Sequence, residues 1–452
     1  MNYKLSKYTV FTDVLDETDS EQKRILFASR TGISFLINSD LFKKLQEAEF
    51  GKIKADKLTR LIDHEVIILK EEDEFKEIMT LNRCGSKDSK TLSTTIQPSA
   101  NCQLGCPYCG QVHTKYTMTD KIKNKVVERI KSKLDDGHYN SIEVTWYGGE
   151  PLLGYSSILE ISSQLKEIAQ NKNLQYGGYL ITNGLNLKPD IFKELYLNHS
   201  VNQFQITIDT TKEHHDNRRM MKEGNATFDI IMNNIKKIVN LPYYKDKTGK
   251  AVSIRMNIDK TNFESVTTFI DYLADNELQD KVNIYFSPII NWGQENAEDM
   301  FGLTKEQFAE YEIEWYLYAM NKGFTFDYFL PARDYVACMV DMKDAEVYDA
   351  FGNILPCYEF SYTPFYDSPE YKIGNLFDDK NSCKYAVREK WFDMLAEKNQ
   401  PCRSCNLFPV CNGACPKKWI RGEIGCPPFK LNIEDRLVLQ YLMNKTNIKE
   451  LI

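Results

Sequence analysis

The sequence lacks several features that would place it in a common functional class. No apolar run approaches the roughly 20 residues that a transmembrane helix requires, so we expect no membrane partner. The N-terminal stretch MNYKLSKYTVF has no apolar core followed by a small-residue cleavage site, so it does not read as a signal peptide. Lysine and arginine total 57 against 64 acidic residues, without the basic excess of a nucleic-acid-binding protein. We therefore expect a cytoplasmic protein with no nucleic-acid partner.

Cysteine is absent from most of the chain, and this makes the positions of the twelve cysteines informative. None precedes Cys84, and none lies between Cys109 and Cys338. Three crowd into 102–109, and eight fall from Cys338 onward. In a compartment where thiols stay reduced, metal binding or catalysis explains such clusters better than a disulfide framework does.

The length of 452 residues predicts two or three domains, and the first of them covers residues 1–85. Its order of elements resembles a winged helix-turn-helix, and a polar stretch at 85–89 reads as the linker that follows it. We expect this unit to contain a strand at 8–14 and two strands within 25–37, separated by the Arg30-Thr31-Gly32 turn. A helix that Ser39 or Asp40 caps and Gly51 ends, a second short helix, and a strand at 66–69 are expected to follow.

From residue 90 to 326 the sequence alternates between strand-like and helix-like segments. Helical spacing of apolar residues is clearest in 120–134 and 156–168. Repeated strand-helix units predict a parallel sheet, closed or partly closed like a barrel, with the chemistry at the C-terminal ends of its strands. We therefore expect an α/β fold with a partial (β/α)6 TIM-like barrel. The predicted barrel strands are 92–97, 142–147, 178–182, 203–208, 252–258 and 282–286.

The sharpest motif is Cys102-x3-Cys106-x2-Cys109, directly after the first predicted barrel strand. Three thiolates on one tight loop suit a 4Fe-4S cluster, and with three ligands one iron keeps an open position. A structural zinc site is the alternative, but it needs a fourth protein ligand and none is nearby. The spacing, with the aromatic Tyr108 before the last cysteine, resembles the signature of the radical S-adenosylmethionine (SAM) superfamily. The resemblance implies that SAM chelates the open iron.

Residues at later strand ends extend this resemblance. Gly148-Gly149-Glu150 follows the second strand, and in the family the glycines let the backbone approach SAM while the carboxylate accepts from its ammonium group. The order of the later motifs resembles the SPASM-containing, peptide-modifying branch of the superfamily. Taken singly, each residue is equally explained as a turn, a loop cap or a surface ion pair. The further SAM-binding candidates are Thr182, Asn183, Thr207, Asp209 and Arg219.

The C-terminal region, 327–452, holds a second cysteine pattern that resembles a SPASM domain, which binds two auxiliary 4Fe-4S clusters. Seven thiolates do not divide into two all-cysteine zinc sites, which disfavours that alternative. Because residues 339–356 contain no cysteine, the first cluster is expected to have an open iron or to use Cys383; Cys84 reads as an ordinary thiol. The resemblance assigns Cys338, Cys357 and Cys415 to one auxiliary cluster and Cys402, Cys405, Cys411 and Cys426 to the other.

The resemblance implies a radical SAM oxidoreductase that carries three 4Fe-4S clusters. An electron from a flavodoxin or ferredoxin would split SAM, and the 5'-deoxyadenosyl radical would take hydrogen from carbon. In the peptide-maturing relatives, an N-terminal winged-helix unit binds the leader of a precursor peptide as an added strand. A plain accessory domain and a DNA-binding winged helix are the alternatives, although residues 1–69 are not strongly basic.

The three-cysteine auxiliary group leads us to expect a maturase of ribosomally made peptides of the sactipeptide or ranthipeptide type. It would join a cysteine sulfur to a carbon of another residue, with the open iron holding the substrate thiolate. Carbon-carbon crosslinking of the cyclophane type is a sibling alternative. An anaerobic sulfatase maturase that forms formylglycine is another, but this chain has Tyr358 where that family has an aspartate base. The last alternative is a non-catalytic iron-sulfur protein that serves in electron transfer or as a scaffold.

Overall fold

The computed structural model describes residues 2–244, 249–290, 302–326, 329–378, 384–443 and 449–451. Within these ranges, none of the helices combines the length and the apolar character needed to cross a bilayer. Cys383, the sequence candidate for a fourth auxiliary ligand, lies outside the described residues.

The N-terminal unit contains an antiparallel sheet and three helices. Its strands β2, β3 and β4 pair in sequence order, and β1 pairs with β5. The predicted strands within 8–14, 25–37 and 66–69 are confirmed with bounds that differ by a few residues, whereas β1 and α3 were not predicted. The elements are β1 (Tyr3–Leu5), β2 (Thr9–Phe11), β3 (Arg24–Ala28), β4 (Ile33–Ile37), α1 (Ser39–Gln46), α2 (Ala55–Asp63), β5 (Ile67–Leu69) and α3 (Glu74–Gly85).

The predicted bounds of α1 were wrong at both ends. Asn38 is the N-cap, because its side-chain oxygen accepts a hydrogen bond from the Leu41 backbone N–H at 3.0 Å. Ser39 and Asp40, the predicted caps, already lie inside the helix. The helix ends at Gln46, and Gly51 belongs to a separate 3-10 turn, Phe50–Lys52.

The sheet of the N-terminal unit is buried on both faces. One face packs Leu26, Phe35 and Ile37 against residues of α1 and α2. The other face packs Ile25 and Phe27 against apolar residues of the C-terminal region. Two buried faces explain why β3 and β4 are mostly apolar, with four apolar residues in each, and they fix this unit to the rest of the chain.

The central region is an α/β unit built on a parallel sheet. All six predicted strands are confirmed, and each pairs in parallel with the next along the chain. The helices between them bury one apolar side against the sheet. Its elements are β6 (Thr91–Ile96), α4 (Asp120–Asp136), β7 (Ser141–Trp146), α5 (Tyr155–Asn171), β8 (Gln175–Thr182), α6 (Pro189–Lys193), β9 (Val201–Ile208), α7 (Lys212–Arg218), α8 (Phe228–Val239), β10 (Val252–Ile258), α9 (Val266–Asp275), β11 (Val282–Pro288) and α10 (Lys305–Asn321).

The C-terminal region joins both preceding units by strand pairing. β12 extends the barrel sheet in parallel with β6 and continues into β13 and β14, while β15 pairs in parallel with β4 of the N-terminal sheet. The three predicted domains remain predictions, and the strands that link them were not foreseen. The elements are β12 (Glu346–Tyr348), β13 (Asn353–Leu355), β14 (Gly374–Asn375), α11 (Lys384–Ala396), α12 (Phe408–Cys411), α13 (Pro416–Ile420), α14 (Ile433–Met443) and β15 (Lys449–Glu450).

Candidate active site

The three cysteines of the first motif lie on the loop between β6 and α4 and face one cavity of about 320 Å³ at the C-terminal ends of the barrel strands. This cavity is called the central cavity below. The loop is pinned by backbone hydrogen bonds, including Ala100 N–H to Tyr116 O at 2.9 Å. The Leu104 N–H points at Cys102 Sγ at 3.4 Å, so a backbone donor already faces one of the sulfurs.

Burial makes these thiols reluctant to ionise on their own. It raises the pKa of Cys102 to about 11 and that of Cys106 to about 12, and it also raises the pKa of Cys109. The nearby Arg219 guanidinium opposes each of these increases. Because metal ligands must be thiolates, these residues fit a site in which bound iron itself stabilises the charge.

Gly148 and Gly149 allow the backbone after β7 to lie directly against the cysteine loop. A Cβ atom on Gly149 would stand 2.5 Å from the Asn101 carbonyl oxygen, far inside contact distance. Gly148 has φ +127°, a conformation that side chains rarely tolerate. Both glycines line the central cavity, while their predicted contact with SAM stays a prediction.

Glu150 lies behind the cavity wall, where its carboxylate is already occupied. It accepts hydrogen bonds from Thr182 Oγ1 at 2.7 Å, from the Asn183 N–H at 2.8 Å and from the Leu152 N–H at 3.1 Å. Burial raises its pKa, and these three donors oppose that rise. The carboxylate therefore positions the ends of β7 and β8, while its predicted contact with the SAM ammonium group stays a prediction.

A hydrogen-bonded network centred on Tyr108 forms another wall. The Tyr108 hydroxyl donates to Asp209 Oδ2 at 2.8 Å and accepts from Arg219 Nη1 at 2.7 Å and Asn257 Nδ2 at 3.2 Å. Asp209 also pairs with Arg218 Nε at 3.1 Å and, like Glu150, stands behind the wall. This network holds the aromatic ring of the cysteine motif in place.

Arg219 supplies the clearest indication that the central cavity accepts an anionic group. Its guanidinium is buried beside Cys106, and its Nε has no hydrogen-bond partner within the described part of the chain. A buried donor without a partner is costly, so a ligand acceptor is expected to satisfy it. The carboxylate of SAM has the required charge, and the residues present therefore fit the predicted cofactor.

His215 has a supporting role that the sequence did not reveal. Its Nδ1 faces the Asp209 backbone N–H at 3.1 Å, and its Nε2 lies 3.0 Å from Thr227 Oγ1. Burial lowers the pKa of His215 to about 3, so the ring is neutral and acts as a fixed bridge. It ties the end of β9 to the segment that follows α7.

The central cavity is also lined by residues that were not among the predicted site residues. They are Tyr147, Arg255, Glu359 and Thr363, together with Tyr358. The Glu359 carboxylate is largely buried and lies 3.4 Å from Lys417 Nζ. Burial raises the pKa of Glu359, and the charges of Lys417 and Arg255 offset only part of this rise. Arg255 is the one charged residue of β10, and this was the available signal for it. For Glu359, the only sequence signal of a role in the site was its position two residues after Cys357.

The first auxiliary group brings Cys338, Cys357 and Cys415 together. The Cys357 thiol is fully buried, and the charges of Cys338 and Cys415 add to the rise in its pKa, of which burial is the main cause. Asp341 fixes the segment around Cys338 by accepting hydrogen bonds from the Ala337 and Cys338 N–H groups, both at 3.0 Å. Since Tyr358 and Glu359 follow Cys357 directly, this group borders the central cavity.

The second auxiliary group lies further from the barrel and lines a smaller cavity beside Trp419. Lys430 Nζ approaches Cys426 Sγ at 3.7 Å, and burial raises the pKa of Cys402 and Cys411 to about 12. Among the residues that the structure describes, no group of three or more His, Cys, Asp or Glu converges tightly enough to hold a single metal ion. The cysteines that line this cavity are Cys402, Cys405, Cys411 and Cys426.

Most of the predicted SAM-binding and cluster residues of the barrel therefore meet at one cavity. Glu150 and Asp209 are the exceptions, since they lie one layer behind it and hold the residues that do. The residues that line the central cavity as predicted are Cys102, Cys106, Tyr108, Cys109, Gly148, Gly149, Thr182, Asn183, Thr207 and Arg219.

Comparison with known proteins agrees with this geometry. The family model of the radical SAM superfamily matches residues 96–273, which span the cysteine loop and the barrel through α9. Residues 96–273 are therefore a radical SAM domain, of a family that binds SAM at a 4Fe-4S cluster, and the chain is an enzyme of the oxidoreductase type. The alternative of a non-catalytic electron-transfer protein is not supported.

Two curated relatives resemble this chain over most of its length. A serine-type anaerobic sulfatase-maturating enzyme of Bacteroides thetaiotaomicron is 23% identical over 365 residues, 73% of this chain and 83% of the relative. A cysteine-type anaerobic sulfatase-maturating enzyme of Clostridium novyi is 25% identical over 354 residues, 72% of this chain and 88% of the relative.

Solved structures share the fold. The structure of anSMEcpe with bound AdoMet has a TM-score of 0.57 at 18% identity and covers 78% of this chain and 97% of its own. The structure of Streptococcus suis SuiB bound to precursor peptide SuiA has a TM-score of 0.50 at 14% identity and covers 94% of this chain and 98% of its own. At these identities the likeness concerns the fold alone.

Proposed function

We propose that this chain matures a ribosomally made peptide by forming a thioether between a cysteine sulfur and a carbon of another residue. One observation carries the proposal. The central cavity is bordered by the Cys102–Cys109 loop on one side and by the segment that follows Cys357 on the other. A substrate side chain held there would lie between the site of hydrogen abstraction and the first auxiliary group.

The residues of this chain would bind and orient the cofactor. When bound, SAM and the reduced 4Fe-4S cluster supply a carbon-centred radical that removes hydrogen from an unactivated position. Gly148 and Gly149 offer backbone surface, and the free Nε of Arg219 offers a charged donor. Thr182 and Thr207 place hydroxyl groups on the same wall. Burial of this wall would keep water from the reacting groups.

The first auxiliary group would hold the substrate sulfur. Three cysteines gather there among the described residues, which leaves a place for an outside thiolate on a four-iron cluster. The second group, with four cysteines, would carry the surplus electron away from the product. A flavodoxin or ferredoxin would supply the electron that starts each turnover.

The shape of the surface beside the central cavity supports a polypeptide substrate. A second hollow of about 420 Å³ shares Thr363 with the central cavity and opens past Val112 and Phe351. Phe351 is exposed and stacks on Tyr116 with ring centroids 4.7 Å apart. Aromatic and polar groups along two adjacent hollows suit an extended peptide better than a compact metabolite.

Co-expression under anaerobic conditions tests this proposal. The enzyme would be produced with short cysteine-rich reading frames from its own locus, and the peptides would be examined by mass spectrometry. A thioether removes two hydrogens and protects the cysteine from alkylation, whereas a carbon-carbon crosslink removes two hydrogens and leaves the thiol reactive. Cys357→Ser should abolish the product, while Cys84→Ser, at an exposed position, should not. Unchanged peptides throughout would contradict the proposal.

Formylglycine formation is the second candidate, because specific observations favour it. The curated relatives are sulfatase-maturating enzymes. The aspartate base of that family is missing at Tyr358, but Glu359 brings a carboxylate into the central cavity one residue later. Incubation with peptides that contain a single cysteine or serine decides between the two. An aldehyde captured by a hydrazide reagent would indicate formylglycine and contradict the thioether proposal.

A further inference from the structure

Arg255 is a cationic side chain of the central cavity to which binding of the cofactor gives no role. It lies on β10 two residues before Asn257, and both residues line the cavity. Because a strand rises about 3.3 Å per residue, the Cα of Arg255 lies roughly 7 Å further into the barrel than that of Asn257. The Arg255 Nε donates a hydrogen bond to Asn257 Oδ1 at 2.9 Å, which fixes the inner end of the guanidinium group.

The two arginines of the cavity lie beside different groups. Arg219 stands beside the cysteine loop, since its charge opposes the rise in the pKa of each of the three thiols. For Arg255, burial lowers the pKa of the guanidinium, but Tyr285, Tyr358 and Glu359 outweigh burial and raise it. Arg255 therefore faces the segment that follows Cys357, and it remains for a group other than the carboxylate of SAM.

The counter-charge of Arg255 is a shared one. The carboxylate beside it belongs to Glu359, and the same carboxylate lies 3.4 Å from Lys417 Nζ. Because Glu359 serves both cations, it does not neutralise Arg255 by itself. A charge that is largely removed from water and incompletely neutralised is costly, so a second anion in the cavity would stabilise Arg255.

Gln205 offers a second donor on the same side of the cavity. Its Oε1 accepts hydrogen bonds from the Tyr179 hydroxyl at 2.7 Å and from the Tyr285 hydroxyl. With the oxygen occupied in this way, the amide nitrogen is the end of Gln205 that can donate to a ligand in the cavity that this residue lines. Tyr285 is the register partner of Arg255 across β10 and β11, so the amide and the guanidinium are near neighbours.

We propose that Arg255 and the amide of Gln205 bind the side-chain carboxylate of an acidic residue in the substrate peptide. The statement rests on the proposed function, because the peptide is the substrate, and it adds which side chain the cavity selects. The rings of Tyr147 and Tyr358 meet edge to face at 5.2 Å and supply an apolar wall for the carbon chain of that residue. A guanidinium with an amide donor beside it matches the acceptor geometry of a carboxylate.

A small model of an acidic residue, N-acetylaspartate N-methylamide, probes this pocket in saturation-transfer NMR. The protein is loaded with iron, kept oxidised under anaerobic conditions and saturated with SAM, so that the cofactor site is filled. Hydrogen bonds to a charged acceptor are about twice as strong as neutral ones, so this probe should bind at least roughly tenfold more tightly than N-acetylasparagine N-methylamide. The two probes have the same shape and differ in the charge.

Four variants test the residues involved. Arg255→Gln removes the cation and should abolish the preference for the acidic probe, whereas Arg255→Lys keeps the charge without the planar fork and should retain part of it. Glu359→Gln removes the carboxylate that shares Arg255, so it should tighten binding of the acidic probe. Lys131→Gln is the control, because Lys131 is exposed on α4 and its replacement should leave both affinities as in wild type.

The spectrum of the cluster shows whether Arg255 serves the cofactor instead. Both Arg255 variants should still show the change in this spectrum on addition of SAM. Loss of that change in both variants, with normal circular dichroism, would assign Arg255 to SAM and overturn the proposal. An undiminished preference for the acidic probe in Arg255→Gln would overturn it as well.

The probes also separate this inference from the proposed function. Equal binding of the two probes by wild type, or no binding of the acidic one, would overturn the inference and leave the thioether chemistry untouched. Tighter binding of N-acetylalanine, whose carboxylate is terminal, would assign the pocket to a peptide C-terminus and overturn it too. A protein that selects the acidic probe but modifies no peptide would instead contradict the proposed function.

Discussion

Replacing Glu346 by glutamine should destabilise the junction between the barrel and the C-terminal region. Glu346 begins β12 and is 5% exposed. Its carboxylate accepts two hydrogen bonds from Arg129 of α4, from Nε at 2.7 Å and from Nη2 at 2.8 Å. Lys133 Nζ of the same helix lies 2.8 Å away, and the Tyr348 hydroxyl donates at 2.9 Å.

The pKa of Glu346 gives the size of the effect. Burial would raise this pKa, but Arg129 and Lys133 outweigh burial and lower it from 4.5 to about 2. At roughly 1.4 kcal/mol per pH unit, this difference corresponds to about 3 kcal/mol of stability at neutral pH. The sign follows from the lowered value: the contribution is complete above pH 4.5 and is lost as the pH falls through about 2. Burial lowers the pKa of Lys133 despite Glu346, so the bidentate Arg129 pair provides most of the stabilisation.

Anaerobic urea unfolding of the iron-loaded protein at pH 7 measures this effect by circular dichroism. Glu346→Gln keeps the shape of the side chain but leaves Arg129 without its counter-charge, so the free energy of unfolding should fall by about 3 kcal/mol. Glu128→Gln is the matched control on the same helix, because Glu128 pairs with Lys125 in an exposed position and should change stability by less than about 0.5 kcal/mol. A loss below about 1 kcal/mol for Glu346→Gln, or equal losses for the two variants, would refute the reasoning.

The remaining predictions concern the cluster and cofactor residues. Tyr108→Phe removes a hydroxyl that three buried polar groups share, so it should lower thermal stability and slow 5'-deoxyadenosine formation from SAM with dithionite, as measured by chromatography. Gly149→Ala should abolish SAM binding in equilibrium dialysis because its Cβ would meet the backbone before Cys102, whereas Gly51→Ala, which has open space, should bind normally. Cys357→Ser should lower the iron content by about one cluster and leave the SAM-dependent change in the cluster spectrum intact.

The barrel was predictable because short strand-like segments, in which buried apolar residues alternate with others, recur between segments of helical spacing. The predicted bounds differ from the observed ones by a few residues at most for β6, β7, β10 and β11. The site loops were predictable for a different reason. Cysteine spacing and glycine pairs are local features, and the parallel order of the strands brings their ends together at one edge.

Features that depend on distant pairing could not be predicted. Glu359 enters the central cavity only because β12 joins β6 and carries the segment after Cys357 over the barrel mouth. β15 reaches β4 across almost the whole chain length, and nothing in its own sequence marks it as a strand of that sheet. The prediction of the α1 N-cap failed for a local reason. Asn38, Ser39 and Asp40 are all residue types that cap helices well, and only the backbone conformation decides which of them does so.

The position of the second auxiliary group would link iron loading to the docking of the N-terminal unit. Cys402 and Trp419 belong to the same apolar cluster as Phe75 and Ile78 of α3, so the walls of this proposed cluster site are also the surface on which α3 packs. Burial raises the pKa of Cys402 to about 12, so in the absence of a metal its thiol is protonated. If this group binds the proposed cluster, iron would tie together the loops that carry its cysteines, and those loops support α3. Removal of iron by a chelator should then loosen the packing of α3 against these loops.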